Sequence, residues 1–263
     1  MATSSKTRLD TEMVRRGLAR SRSEAQRAIE QGIVNVAGMP AGKPATMVDR
    51  SMSIALAAQA ARFVSRGGDK LDGGLERLDV SVGGRPWLDA GASTGGFTDR
   101  LLQGGATGVI ALDVGYGQLD WSIRSDERVT VMERTNVRTL SRADLPFTPE
   151  GVVADLSFIS LVTVLPALAQ IVDDGGDMVL LVKPQFEVGR AEVGKGGVVR
   201  DPVLWRAAVL KVMASAAALG WGLAGVTYSS PPGPSGNREF FVHLRKDGGQ
   251  EATSVDLAVK EAP

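Results

Sequence analysis

Cysteine is absent from the 263-residue sequence, and His243 is its only histidine. Disulfides, thiol nucleophiles and cysteine zinc sites are therefore excluded, and we predict no metal site. The one membrane-like stretch, 156–172, contains Ser157, Pro166 and Gln170 and is too short and too polar to span a bilayer. The start of the chain lacks the apolar core of a secretory signal, so a cytoplasmic location without membrane contact is expected.

Charge is unevenly distributed, although the formal net charge is zero. Residues 1–70 hold 12 Lys and Arg against 6 Asp and Glu, and the remainder holds 18 against 24. A small basic segment joined to a larger acidic body is typical of a polyanion-binding module attached to a catalytic or regulatory domain. A basic surface that is merely solvated is the alternative.

The N-terminal segment has the pattern of two short helices followed by strands. Asp10 is placed to cap the first helix and Ser21 or Ser23 the second, which Gly32 would end in the left-handed conformation. Alternation over 34–36 predicts a strand. Several arginines crowd the two helices and their joint: Arg15, Arg16, Arg20, Arg22 and Arg27.

This segment resembles the small RNA-binding domain of the S4 type. The resemblance is carried by Leu9-Asp10, Gly17-Leu18-Ala19, Ser21-Arg22, Gly32 and Gly38. It implies recognition of structured RNA, and arginines suit phosphate contacts, whereas aromatic stacking residues are absent here. The predicted RNA-binding residues are Arg8, Arg15, Arg16, Arg20, Arg22 and Arg66.

Beyond residue 66 the sequence alternates strand and helix patterns. Strands are predicted at 87–89, 109–113, 129–133, 151–155, 178–183, 223–228 and 239–244, with helices over 161–172 and 202–219. The alternation predicts an α/β fold with a mostly parallel sheet and an antiparallel edge. We predict domains at 1–60 and 67–250, a linker at 61–66 and a tail at 251–263.

A glycine-rich loop follows the first of these strands, over residues 89–97. Glycines at the carboxyl end of a strand let the backbone approach a ligand, but the spacing is neither the dinucleotide fingerprint nor a P-loop. Asp113 ends the next strand, where a carboxylate suits ribose hydroxyls, so the site favours S-adenosylmethionine; an ordinary glycine turn is the alternative. The predicted cofactor residues are Asp89, Gly91, Ser93, Thr94, Gly95, Gly96, Phe97, Asp113, Glu133, Asn136 and Asp155.

The same loop also fits the nucleophile elbow of a hydrolase, because Gly91-Ala92-Ser93-Thr94-Gly95 has the Gly-x-Ser-x-Gly spacing. Such an enzyme needs a histidine base. His243 lies inside the apolar run 240–244 rather than on a loop, so we expect a structural histidine and no hydrolase.

Four charged residues stand at predicted strand ends or on the flanks of the domain. Charge at a buried strand end is costly unless it is used, whereas a charged residue on the flank, taken alone, is more often part of a surface ion pair. Asp155 and Lys183 end predicted strands, and Lys70 and Glu239 flank the domain. In this order they resemble the catalytic tetrad of FtsJ-like ribose 2'-O-methyltransferases. With Ser65-Arg66-Gly67-Gly68 and other motifs, the whole chain resembles the TlyA family; the motifs are 89–98, 113–119, 154–160, 183–187 and 234–237.

The TlyA resemblance implies a complete fold and activity. The fold is a Rossmann-like class I methyltransferase with a seven-stranded sheet, preceded by a small α+β S4-type domain. The implied reaction is methylation of cytidine ribose in 16S and often 23S ribosomal RNA, within ribosomal subunits. The linker departs from the family pattern, since Ala61-Arg62-Phe63-Val64 stands where the family has Arg-x-Trp-Val.

The predicted chemistry divides the work among the members of the tetrad, although the sequence does not decide which lysine takes the proton. A ribose hydroxyl is a weak nucleophile and needs a base, for which we expect Lys183. Asp155 and Glu239 would orient the amines, and Lys70 would tune Lys183 or hold the ribose. The glycine-rich stretch 188–201 suits a loop that closes over RNA or a plain surface loop.

Three alternative functions remain at this stage. A ribosome assembly factor would bind RNA without turnover, and a hemolysin would need a membrane-active segment. A small-molecule methyltransferase would not need the basic module. The sequence predicts no oligomeric state.

Overall fold

The computed structural model describes residues 6–30, 32–56, 62–249 and 253–262. The chain forms two compact units, Met1–Arg62 and Phe63–Pro263. The expected domain limits at 60/61 and 250/251 lie outside the described residues.

The N-terminal unit packs two helices on small antiparallel sheets. Its core contains Leu9, Met13, Ile29, Val34 and Val48, all fully or nearly fully buried. β2 pairs with β3 and β5, and β1 pairs with β4. The elements are β1 (Thr7–Arg8), α1 (Leu9–Arg15), α2 (Arg22–Glu30), β2 (Val34–Val36), β3 (Met39–Pro40), β4 (Met47–Val48) and β5 (Ile54–Leu56).

The expected cap of α1 is wrong, whereas the ends of α2 follow the sequence pattern. α1 begins at Leu9 with Arg8 at the N-cap position, so Asp10 lies within the helix and is buried. Leu9 and Met13 share one helix face, and both are buried in the core. The helix therefore begins at Leu9, one residue before Asp10. Ser21 Oγ accepts a hydrogen bond from Glu24 N at the start of α2.

The C-terminal unit alternates strands and helices. Short 3-10 turns occur at Val137–Thr139, Arg142–Asp144, Arg190–Glu192 and Pro234–Gly236. The other elements are α3 (Arg66–Leu78), β6 (Pro86–Ala90), α4 (Gly96–Gln103), β7 (Gly108–Leu112), α5 (Trp121–Arg124), β8 (Val129–Met132), β9 (Gly151–Ala154), α6 (Leu161–Ile171), β10 (Asp177–Val182), α7 (Pro184–Glu187), α8 (Pro202–Ala217), β11 (Gly222–Tyr228), β12 (Phe240–Arg245) and α9 (Thr253–Glu261).

Seven strands form one sheet in the order β11-β12-β10-β9-β6-β7-β8. The five strands from β10 to β8 are parallel, and β12 is antiparallel to both β10 and β11. The predicted mostly parallel seven-stranded α/β sheet is therefore confirmed. Strands buried on both faces need mostly apolar side chains, and β7, which is apolar throughout, and β10, which is apolar after Asp177, fit this requirement.

Helices cover both faces of the sheet. Leu88, Ile110 and Val152 point to a core shared with α6, α8 and α9, while Trp87 and Val109 point to a second core shared with α3, α4 and α5. Alternate residues of each strand face opposite sides, so one apolar run serves both cores. Within the described ranges, no helix has the length and apolar character needed to cross a membrane.

Candidate active site

The charged and glycine-rich residues meet at one edge of the sheet. Ala90, Leu112 and Ala154 are register partners, so the residues that follow β6, β7 and β9 emerge side by side. Val182 pairs with Phe240 across the antiparallel β10 and β12, which brings the end of β10 beside the start of β12. This topology places Gly91, Asp113, Asp155, Lys183 and Glu239 along a common edge.

Two buried or half-buried ion pairs occupy this edge. Lys70 Nζ on α3 lies 2.6 Å from Glu239 Oε2, and both side chains are buried. Lys183 Nζ lies 2.5 Å from Asp155 Oδ1 and also donates to Ser157 Oγ at 3.0 Å. Each lysine of the predicted tetrad is thus held by one of its carboxylates.

The loop before β12 fits tightly against Glu239. The second carboxylate oxygen, Oε1, is buried and has no hydrogen-bond partner among the described residues. A Cβ at Gly233 would lie 2.1 Å from that oxygen. Only glycine at 233 therefore leaves room for the carboxylate in the position that reaches Lys70.

The loop after β6 forms a cradle of exposed backbone. Gly91 has φ of +89° and Gly95 has φ of +96°, conformations that other L-residues rarely adopt. A Cβ at Gly91 would approach the carbonyl oxygen of Asp155 to 2.7 Å. Asp113 steadies the cradle, since its carboxylate accepts from Ser93 N at 2.8 Å and Gly115 N at 2.6 Å.

Two cavities open beside the cradle. The larger, about 480 Å³, is lined by Asp113, Asn136 and Phe158 among others, and the smaller, about 300 Å³, by Arg66 and Lys70 among others. Three residues line both cavities: Gly91, Ser93 and Asp155. Asp155 therefore stands between a ligand-sized cavity and the Lys70 side of the site, and Lys183 contacts it.

Asp89 lies beneath the cradle rather than on its surface. Its side chain is fully buried, and Thr98 Oγ1 donates to Oδ2 at 2.7 Å while Oδ1 has no partner in the described ranges. Burial, reinforced by the nearby Asp155 charge, raises the pKa of Asp89 to about 7. Direct contact with a cofactor stays a prediction for this residue.

The two residues predicted on the adenine side have local partners. Glu133 pairs with Arg124 and accepts from Gly117 N at 2.9 Å, and it lines a small recess next to Asp113. Asn136 caps the turn at Val137–Thr139 and lines the larger cavity. Contacts of both residues with a cofactor stay predictions.

The sequence analysis assigned no role to Glu187, whose side chain connects the segment after β10 to the segment after β9. Glu187 on α7 accepts from Ser160 Oγ at 2.5 Å and from Leu161 N at 2.7 Å. It thereby joins the segment after Lys183 to the segment after Asp155. Burial raises the pKa of Glu187. The available signal was an acidic residue four positions after Lys183 in an otherwise apolar stretch.

The hydrolase alternative is excluded by the position of His243. Its Nε2 lies 2.7 Å from Asp177 Oδ1, and Asp177 is the first residue of β10. Ser93 lies three residues after the end of β6, whereas His243 lies within β12, and β10 and β9 stand between these two strands. Neighbouring strands are about 4.8 Å apart, so the serine and the histidine are roughly 14 Å or more apart and cannot share a hydrogen bond. The described residues also contain no cluster of three potential metal ligands.

The arginines predicted to bind RNA are held in different ways. Arg8 and Arg22 pair with Asp10, and Arg15 and Arg16 pair with Glu12. The exposed Arg20 donates its backbone N to Glu24 at 2.7 Å. In the C-terminal unit, Arg66 Nη2 donates to Pro232 O at 3.2 Å. RNA contact stays a prediction for all six.

The residues of the larger cavity fit S-adenosylmethionine. Its volume suits a small-molecule ligand, and Gly91 and Ser93 of the loop after β6 line it together with Asp113 and Asn136. Each carboxylate oxygen of Asp113 accepts one hydrogen bond from a backbone N–H and keeps a further lone pair that can accept from a ligand. This donor and acceptor set suits an adenosyl ligand without phosphates.

The sheet, the cradle and the acidic residue after β7 together define a Rossmann-like S-adenosylmethionine-dependent methyltransferase. A family model described as FtsJ-like methyltransferase matches residues 63–246, and an S4 domain model matches residues 7–54. The chain therefore belongs to the FtsJ-like methyltransferases and carries an S4 domain ahead of the catalytic unit, which confirms two of the resemblances seen in the sequence. A TlyA relative that is 52% identical confirms the third, to the TlyA family.

Relatives match nearly the whole chain. A Mycobacterium tuberculosis protein named 16S/23S rRNA (cytidine-2'-O)-methyltransferase TlyA is 52% identical, over 98% of this chain and 97% of the relative. A Bacillus subtilis protein, provisionally named an rRNA methyltransferase, is 47% identical over 96% and 91%. A solved Streptococcus thermophilus structure with a provisional hemolysin name is 40% identical, with a TM-score of 0.74 over 98% and 96%.

Proposed function

We propose that this protein transfers a methyl group from S-adenosylmethionine to the ribose 2'-hydroxyl of cytidines in 16S and 23S ribosomal RNA. The observation that carries the proposal is the pair of lysine-carboxylate contacts at the edge where the two cavities meet. The name of the Mycobacterium tuberculosis relative supports the cytidine ribose as the acceptor.

The larger cavity would hold the cofactor. Asp113 would accept hydrogen bonds from the ribose hydroxyls, Asn136 would lie on the adenine side, and the Gly91 cradle would receive the remainder. S-adenosylmethionine supplies, when bound, an electrophilic methyl group on a positively charged sulfur. Asp155 lines both cavities and so marks where donor and acceptor would meet.

Lys183 would act as the base. Its Nζ would accept the proton of the ribose 2'-hydroxyl as the ribose oxygen bonds to the methyl carbon and the methyl–sulfur bond breaks, with the electron pair of that bond left on sulfur. Asp155 and Ser157 fix the position of that nitrogen by two contacts. Glu239 fixes Lys70, which lines the smaller cavity and would hold the ribose in line for attack.

The N-terminal unit would bind the RNA. Its arginines offer several guanidinium groups to phosphates, which suits a folded RNA read through its backbone.

The RNA targets would be the small and large ribosomal subunits, and the protein would act on them in the cytoplasm. Residues 1–60 would serve as the RNA-binding domain and 61–66 as the linker. The methyltransferase domain would begin at 67 and extend beyond the expected limit at 250, because α9 places Val255 and Ala258 in its core instead of forming a tail.

The test is transfer of a labelled methyl group to unmodified small and large subunits, followed by mapping of the modified ribose. Lys183→Ala should lower the rate at least about 100-fold, as expected for loss of a general base. Lys246→Ala is the matched control, because Lys246 pairs with the exposed Asp174 and lies after β12, at the opposite edge.

The outcomes separate the proposal from its alternatives. Label on a cytidine ribose that disappears in Lys183→Ala and persists in Lys246→Ala supports it. Bound RNA without label on either subunit would favour an assembly factor. Membrane lysis by purified protein, without label on RNA, would favour a hemolysin.

A further inference from the structure

Two acidic side chains lie deep in the basic N-terminal unit. Asp10 and Glu12 on α1 are 0% and 1% exposed, although they belong to a segment rich in arginine. An unpaired buried carboxylate would be strongly destabilising, so each must be matched by cations. The structure shows which cations these are, and three of them are predicted RNA-binding residues that remain exposed.

Asp10 anchors two arginines from different elements. Its oxygens accept from Arg8 Nε at 3.0 Å, Arg8 Nη2 at 2.9 Å and Arg22 Nη2 at 3.1 Å. Gln26 Nε2 adds a fourth bond at 2.9 Å. The hydrogen bonds from Arg8, aided by Gln26 and Arg22, hold the pKa of Asp10 well below its usual range. The anchor is therefore charged throughout the working range of pH.

Glu12 anchors a second pair of arginines. Arg15 donates through Nε at 2.7 Å and Nη2 at 2.6 Å, and Arg16 donates through Nε at 2.8 Å. The hydrogen bonds from Arg15 and then Arg16 lower the pKa of Glu12 to about 2. This second anchor also stays ionised.

The four arginines divide into two groups. Arg16 is only 21% exposed, and its Nη atoms donate to the carbonyls of Met52, Asp49 and Arg50, so it fastens α1 to the loop before β5. Arg8, Arg15 and Arg22 are 43%, 49% and 57% exposed. Each keeps N–H donors beyond those used on the carboxylate, since a guanidinium has five.

We propose that Asp10 and Glu12 are positioning residues that hold Arg8, Arg15 and Arg22 in the orientation that binds RNA phosphates. The inference rests on the proposed function, because it assumes that this face meets RNA. A free arginine loses considerable rotamer freedom when it binds, whereas a guanidinium already held by a carboxylate loses less.

The proposal makes a prediction opposite to that of simple electrostatics. Removal of a negative charge from a basic surface should strengthen binding to RNA, because fewer repulsive charges face the phosphates. If the carboxylate instead positions the arginines, its removal should weaken binding even though the protein becomes more positive.

The experiment measures binding of the full chain to unmodified small and large ribosomal subunits, assayed separately across a range of salt concentrations. Asp10→Asn and Glu12→Gln each keep the side-chain shape and remove one negative charge. Glu30→Gln is the matched control, because Glu30 is exposed at the end of α2 and has no arginine partner in the part of the chain that the structure describes. Thermal unfolding identifies a variant that fails to fold. If Asp10→Asn does not fold, the test rests on Glu12→Gln.

We expect Asp10→Asn and Glu12→Gln to weaken binding about tenfold each, as for loss of one charge-assisted phosphate contact. The slope of log affinity against log salt should become shallower by about one. Methyl transfer should show a higher KM for RNA with kcat unchanged, and Glu30→Gln should bind at least as tightly as the parent protein.

A double-mutant comparison separates positioning from a general structural effect. Arg22→Ala should cost little extra in the Asp10→Asn background, because the arginine has already lost its orientation. Fully additive losses, or binding by Asp10→Asn and Glu12→Gln as tight as that of the control, would overturn the inference. If Arg8→Ala and Arg22→Ala also bind normally, the face does not meet RNA and the inference falls with it. Absence of methyl transfer at saturating subunits is a separate result and tests only the proposed reaction.

Discussion

Replacement of Glu239 by glutamine tests whether the Lys70-Glu239 pair serves stability and catalysis through the same contact. Lys70 Nζ lies 2.6 Å from Glu239 Oε2, and the two side chains are 9% and 0% exposed. Glu239→Gln leaves the lysine ammonium buried without its counter-ion, a change that costs about 3 kcal/mol or more. For a unit of this size the melting temperature should fall by roughly 10 °C.

A second substitution should restore the fold without restoring the reaction. Lys70→Met combined with Glu239→Gln removes the unpaired charge, so most of the lost stability should return. Methyl transfer should stay at least about 100-fold below the parent rate, because no amine remains to hold the ribose.

The assay combines thermal unfolding with methyl transfer to ribosomal subunits. Asp174→Asn is the control for an exposed pair, since its contact with Lys246 at 2.7 Å is screened by solvent and should contribute little to stability. The reasoning is refuted if Glu239→Gln melts with the parent protein, or if the double variant regains activity.

Three further predictions concern single residues. Gly233→Ala should displace the Glu239 carboxylate, because a Cβ would lie 2.1 Å from Oε1. This variant should lower the rate of methyl transfer more than tenfold and leave the cofactor affinity, measured by calorimetry, unchanged. An unchanged rate would show that the loop adjusts. Burial alone would raise the pKa of Asp177, but hydrogen bonds from His243 and Arg85 outweigh burial and lower that pKa to about 2. The ionised Asp177 should therefore contribute about 2 kcal/mol to the free energy of unfolding above pH 4, and this contribution should be lost as the pH falls through 2. Asp177→Asn should flatten this part of the unfolding profile, and an unchanged profile would contradict the assignment. The pKa of Asp89 is raised to about 7, so the free energy of unfolding should fall by about 4 kcal/mol as the pH rises from 4 to 7. Denaturant titrations at several pH values should show no such fall in Asp89→Asn. A fall of the same size in Asp89→Asn would mean that another group titrates.

The sheet and the position of the site along it follow from patterns in the amino-acid sequence. Uninterrupted apolar runs predict strands buried on both faces, and the carboxyl ends of parallel strands share an edge. The glycine loop after β6, Asp113 after β7 and Asp155 after β9 could therefore be assigned to one place before any coordinates were considered. These inferences depend only on local composition and on chain order.

Which charges meet depends on how the chain folds. Lys70 and Glu239 are 169 residues apart, and either of the two ways of pairing the two lysines with the two carboxylates agrees with the order in the sequence. The tertiary structure likewise decides the position of His243, which the sheet order places three strands from β6 and therefore far from Ser93, and that of Asp10, which is buried among arginines rather than capping α1. Ion pairing and burial depend on distances of a few ångströms between segments remote in sequence, and no local pattern encodes those distances.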